Sequence, residues 1–128
     1  MTSPSYFLDT NSCIFLLAKA RPALVARVED CVPGTVAISA VVYAELAMGF
    51  SRGGTRGRIA LNKFLTKFPV MPFDEAAARA YARVPFRRGK LDRLIAAHAL
   101  ALDIVLVTNN ERDFADVPGL RTEDWSQA

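Results

Sequence analysis

Short apolar runs that break into helix-starting polar residues alternate along this chain with longer stretches of helical periodicity. The first run, Tyr6, Phe7 and Leu8, reads as a buried strand ending in Asp9. Thr10, Asn11 and Ser12 offer oxygens to the free amides of a helix beginning near Cys13, and its apolar composition predicts a well-buried helix. Pro22 favours a second helical start with Leu24, Val25 and Val28 on one face, until Pro33 and Gly34 turn the chain. Residues 35–39 (TVAIS) are a second strand, and Ser39 can cap a helix over 41–50 in which Glu45 is the sole charge. The glycine-rich segment 51–57 (SRGGTRG) reads as a loop. Leu61, Phe64, Leu65 and Phe68 then recur at helical spacing.

Residues 70–73 predict a third strand, and Asp74 can cap an alanine-rich helix over 75–84 that Pro85 closes. A basic loop (86–90) leads into LDRLIAAHALAL, a helix, and IVLVT (104–108) is the clearest buried strand in the chain. A polar turn over 109–116 precedes a possible edge strand at 120–123, with Trp125 placed to pack back. Strands alternating with helices predict parallel pairing with helices on both faces, since each right-handed crossover returns over the sheet. The expected fold class is therefore α/β: a three-layer α/β/α sandwich around a parallel sheet of four to five strands, formed by one domain over residues 1–128.

That topology gathers acids. Helices in such crossovers run antiparallel to the strands, so helix N-termini and strand carboxyl ends share one edge, where open parallel sheets bind ligands. Asp9 ends the first strand, Glu45 lies in the second turn after the second strand, and Asp92 opens the helix before the fourth; Asn110 and Asp113 follow the fourth. A helical glutamate is ordinarily solvated, but Glu45 sits among Val41, Val42, Leu46, Ala47 and Met48, and a carboxylate buried there needs a partner. Asp92 has a purely structural alternative in the helix dipole, Asp113 in a solvated acidic turn, and Asn110 in turn chemistry.

Composition narrows the chemistry. The chain has 52% hydrophobic and 23% charged residues, which suits a compact folded protein, and its net charge of +3 suits a polyanionic partner. Cys13 and Cys31 lack metal-like spacing and read as reduced core residues. The N-terminus has no basic, apolar leader pattern, and the longest apolar stretch (94–102) is too short to span a bilayer, so a cytoplasmic location without membrane contact is expected. Clustered acids repel unless a cation joins them, and an all-oxygen ligand set selects Mg²⁺, or Mn²⁺, over zinc. The sole histidine, His98, lies well round its helix from Asp92 and reads as packing. Carboxylates holding such an ion, without a glycine-rich nucleotide cradle, suit phosphodiester hydrolysis by metal-activated water. Arg87, Arg88, Lys90 and Arg93 beside Asp92 are candidate contacts for a phosphate backbone.

These residues bring the chain close to a known family. LDTN (8–11), ISAVVYAELAMG (38–49), GKLDRLIAAHALAL (89–102), LVTNNERDF (106–114) and PGLRTEDW (118–125) together resemble PIN-domain ribonucleases, specifically VapC-type toxins of bacterial VapBC toxin-antitoxin systems. The resemblance implies a Mg²⁺- or Mn²⁺-dependent endoribonuclease acting on RNA, commonly tRNA or rRNA. Its acidic centre would be Asp9, Glu45 and Asp92, with Asp9 and Asp92 as the firmest metal ligands, and with Thr10, Asn11, Thr108 and Asn110 supporting. Many members carry an acid where this chain has Asn110, which leaves Asp113 as a candidate fourth catalytic acid. The resemblance also implies silencing by a cognate VapB-type antitoxin, a toxin homodimer within a larger hetero-oligomer, and contact with operator DNA only through the antitoxin. A rival from another class, a receiver-like phospho-switch using Asp74 and Thr108, is opposed by the single acid at the first strand, the absence of lysine after Lys90, and the unexplained Glu45.

Overall fold

A computed structural model describes residues 3–127. Its framework is one parallel five-stranded sheet in the order β3-β2-β1-β4-β5: β1 Tyr6–Leu8, β2 Val36–Ser39, β3 Val70–Met71, β4 Val105–Val107 and β5 Thr122–Glu123. The central strand pairs Tyr6 and Phe7 with Val36 and Ala37 on one side, and Tyr6, Phe7 and Leu8 with Val105, Leu106 and Val107 on the other. Strands covered on both faces need no polar alternation, which is why β2 and β4 are wholly buried. Phe7 points to one face, where its ring meets the edge of His98 at 4.8 Å; Tyr6 points to the other, against Trp125. Helices cover both faces, giving the expected α/β/α sandwich: α1 Thr10–Ala18, α2 Pro22–Glu29, α3 Ala40–Ser51, α4 Gly54–Leu65, α5 Glu75–Ala80 and α6 Asp92–Leu102. Among the described residues no helix is long and apolar enough to cross a membrane.

Several local expectations change. The helix α1 starts at Thr10 because Asp9 is itself the cap, accepting the Ser12 amide at 2.8 Å; Thr10, Asn11 and Ser12 are already helical. Nor is α1 enclosed: Ser12 and Cys13 are its buried residues, and Ile14 is 46% exposed. Met48, one turn beyond Glu45, is also exposed. Cys31 lies past the end of α2 and is partly exposed rather than core. Ser39 and Asp74 do cap their helices, accepting from Val41 and Ala77.

The largest departure is at SRGGTRG, where α3 runs to Ser51 and α4 begins at Gly54. Gly54 supplies a positive φ of 61° at the start of α4, whereas Gly57 serves close contact. A Cβ on Gly57 would stand 2.4 Å from the Phe50 carbonyl oxygen, so only glycine lets the start of α4 close against the end of α3. The third strand shortens to two residues, the helix after Asp74 tightens into a 3₁₀ turn at Tyr81–Arg83, and a second 3₁₀ turn, Glu111–Phe114, follows β4.

Candidate active site

The strand order reverses between β1 and β4, and a cleft of about 320 Å³ opens at their carboxyl ends. Asp9, Thr10, Asn11, Glu45, Lys90, Asp92, Thr108, Asn110 and Asp113 all line it, although they come from four separate stretches of chain. Larger cavities lie elsewhere, one against Val28, Pro33 and Phe68 and one between α3 and α4, but neither gathers several acids.

One wall is built by the first half of the chain. Asp9 is 8% exposed, and one of its oxygens is committed to the Ser12 amide. Glu45, half-buried in the second turn of α3, accepts a 2.7 Å bond from the Thr10 hydroxyl. The sequence suggests only a capping role for Ser12, yet its buried hydroxyl also reaches the Val107 carbonyl at 3.3 Å and fastens α1 to the end of β4. Beneath this wall the Cys13 thiol is pushed well up, first by burial and then by the Asp9 charge, and is held as an inert neutral group.

The other wall comes from α6 and the turn after β4. Asp92 lies in the first turn of α6 and its Oδ1 is buried without a hydrogen-bond partner. Thr108 is fully buried, and its hydroxyl accepts the Asn110 amide at 3.1 Å, which bends the chain out of β4. The Asn110 side-chain amide in turn donates to Asp113 Oδ2 at 2.7 Å. Asp113 and Asn110 thus form one unit rather than two alternatives. Lys90 projects into the cleft mouth, and Arg88 is exposed in the loop beside it.

Arg93 corrects the sequence reading. Placed among the basic residues suited to phosphate, it is only 1% exposed. Its guanidinium donates to Asp116 Oδ1 at 3.0 Å and to the Asp113 carbonyl at 2.6 Å, so no part of it is available to RNA. Arg87 binds the other Asp116 oxygen at 3.1 Å, and nothing in the sequence assigns Asp116 a part in the site. Burial pushes the Asp116 carboxyl up, but the hydrogen bond and charge of Arg93, with Arg87 behind it, outweigh that and hold it below the ordinary range. No local signal could have found this pair, whose members stand 23 residues apart.

The donor set of the cleft is entirely oxygen and largely anionic, which fits a hard divalent cation. An orphaned, buried carboxylate oxygen on Asp92 is the feature that such a cation would satisfy. Among the described residues no three acids, histidines or cysteines converge tightly enough to form a closed cage. An open arrangement of this kind suits an ion that keeps several of its waters, as Mg²⁺ does, rather than one enclosed by protein.

Comparison with known proteins agrees with this architecture. The model of the PIN domain family matches residues 6–120. The chain is 37% identical over 130 residues to the tRNA(fMet)-specific endonuclease VapC of Shigella flexneri, covering 94% of this chain and 98% of that protein. It is 33% identical over 129 residues to the protein of the same name from Salmonella typhimurium, covering 94% and 97%. Among solved structures, DNA-bound VapBC from Salmonella typhimurium superposes with a TM-score of 0.86 at 29% identity, covering 95% of this chain and 98% of that one. VapBC2 from Rickettsia felis, bound to a DNA fragment from its promoter, does so with a TM-score of 0.80 at 28% identity, covering 94% and 98%. By sequence match, strand order and the cleft at the β1–β4 reversal, the chain belongs to the PIN-domain family, as a VapC-type toxin of the VapBC toxin-antitoxin systems.

Proposed function

We propose that this toxin acts as a single domain in the cytoplasm and is a divalent-metal-dependent endoribonuclease whose centre is Asp9, Glu45 and Asp92, with Asp113 as the fourth acid. The observation that carries the reading is the buried, partnerless Oδ1 of Asp92, a residue that lines the cleft together with three further carboxylates. Asp9 and Asp92 would hold Mg²⁺ or Mn²⁺, with Glu45 beside them, and the ion when bound supplies activation of water and neutralisation of charge on the phosphate. The protein's own contributions are positional. Helix capping fixes the Asp9 carboxylate through one oxygen, and the Thr10 hydroxyl fixes Glu45. Glu45 retains an oxygen with which to orient a water or take its proton. Asn110 turns Asp113 toward the same space. Thr108 sets the chain direction that delivers both. Asn11 lies exposed at the rim, where it can donate to a phosphate or ribose oxygen.

Lys90 at the mouth and Arg88 beside it supply positive charge for the RNA backbone, and Arg87 adds to that field while tied to Asp116. The substrate proposed is a tRNA or an rRNA, and the names of the Shigella and Salmonella relatives favour tRNA. The VapBC complexes support a VapB-type antitoxin as inhibitor, a toxin homodimer within the larger assembly, and operator DNA reached through the antitoxin.

The test is cleavage of total bacterial RNA by antitoxin-free protein with Mg²⁺ or Mn²⁺. Discrete fragments that disappear with EDTA and with Asp9→Asn are expected, and mapping their ends identifies the RNA. Cleavage undiminished in Asp9→Asn would overturn the assigned centre.

A further inference from the structure

Arg93 is among the largest fully buried side chains in the molecule, yet it lies at the edge of the cleft in the residue that follows Asp92. An arginine kept inside a protein for stability alone would be expected to have every donor satisfied. Here Nε is buried with no acceptor, and such a donor lowers stability. What the side chain gains instead is reach. Its two terminal nitrogens fork to different targets: the Asp116 carboxylate and the backbone carbonyl of Asp113. Through Asp116 and Arg87, the same fork extends to the basic loop. The first turn of α6 and the distant stretch Asp113–Asp116 therefore meet at one guanidinium, and the loop over 86–90 joins them indirectly, through Arg87 on Asp116. The loop, the start of α6 and the turn after β4 supply Lys90, Asp92, Asn110 and Asp113, most of the polar groups of the second wall of the cleft.

We infer that Arg93 is a positioning residue. By clamping the Asp113 carbonyl and Asp116 to the start of α6, it sets the spacing between Asp92 and Asp113 on which the cation affinity of the cleft depends. The inference rests on the metal-dependent reading of that cleft. Only a planar fork can act as this clamp, because a lysine ammonium in the same place can satisfy one target but cannot hold both at the fixed angle.

Two variants of the full chain separate positioning from packing. In Arg93→Met with Asp116→Leu the ion pair is replaced by apolar side chains, an exchange that commonly preserves stability. Arg93→Lys keeps the charge and loses the fork, and it decides the matter if the double variant fails to fold. Two measurements are made without RNA: hydrogen exchange of the Asp113, Ala115 and Val117 amides, which bond back within their own turn, and titration with Mn²⁺ alone. The expected result is a melting temperature near that of the parent, with exchange at those amides faster by about tenfold. Mn²⁺ affinity falls by about tenfold, as when a group that orients a metal ligand is lost. The Arg93→Lys variant shows part of both effects. Parental exchange, or faster exchange with parental Mn²⁺ affinity, would overturn the positioning role. Should the parent protein itself bind no Mn²⁺ and cut no RNA, the metal-dependent reading falls. The exchange measurement then judges the clamp alone.

Discussion

The two walls of the cleft hold their acids by different means. On the first, Asp9 and Glu45 are fixed by one amide and one hydroxyl, and the Asp9 bond spans a single helical turn. On the second, Asn110 holds the Asp113 carboxylate locally, but the Asp113 backbone and Asp116 are drawn to the start of α6 by the buried Arg93 guanidinium, across as many as 23 residues. The first wall costs little to build and loses little when one bond is removed. The second concentrates its order in one side chain, whose loss leaves the Asp113 carbonyl without that donor and Asp116 with Arg87 alone. Precision at a site can thus come from several weak local bonds or from one strong distant one, and this cleft uses both.

Each wall can be broken separately. The largest effect is expected from Asp9→Asn, whose amide oxygen can still cap α1 while its lost charge removes a ligand. Single-turnover RNA cleavage should fall by about 10³-fold, several kcal/mol of lost transition-state stabilisation, with the urea midpoint unchanged. Next is Arg93→Ala, which should cost about 2 kcal/mol in urea denaturation, chiefly through the lost packing of a fully buried side chain, since Asp116 is exposed and keeps Arg87. Thr10→Val, on the other wall, should cost about 1 kcal/mol and lower cleavage by about tenfold by freeing Glu45. If Thr10→Val proved as destabilising as Arg93→Ala, the contrast between the walls would be gone.

The smallest effect concerns the tie between the walls. His98 on α6 meets Ser39, the cap of α3, at 2.8 Å. Ser39 also accepts the Val41 amide, and the imidazole ring hydrogen-bonds the Pro72 carbonyl. Burial lowers the affinity of this imidazole for a second proton, against the opposing pull of Asp74 and that carbonyl. The unfolded chain gains a proton near pH 6.5, where the folded chain does not. Stability should accordingly be full above that pH and decline as pH falls through it, until the folded imidazole protonates as well. Urea midpoints for His98→Gln should be flatter across that window; an unchanged slope would remove His98 as its source.

How much is legible in the sequence differs between the walls for the same physical reason. Asp9, Glu45 and Asp92 reach a common edge because strand ends and helix starts must lie there in any parallel α/β sandwich, and hydrophobic period alone reveals those. Arg93 misleads because a basic run is judged by its neighbours, whereas its burial depends on Asp116 far downstream. The SRGGTRG segment misleads differently. Glycine there signals a turn, but at Gly57 it serves the approach of α4 to the Phe50 carbonyl, which no local pattern distinguishes. Apolar composition likewise cannot say which side of α1 stays uncovered at Ile14.

The central position of β1 has a consequence for synthesis. This strand leaves the ribosome first and finds β2 about thirty residues later, but its other edge waits for β4, whose pairing residues are Val105, Leu106 and Val107. Until then Asp9 and Glu45 have only α6 and its Asp92 to face them, because Asn110 and Asp113 follow β4 in the chain. A chain abandoned before β4 therefore carries Asp9, Glu45 and Asp92 but lacks Asn110, Asp113 and the strand at whose end the cleft opens.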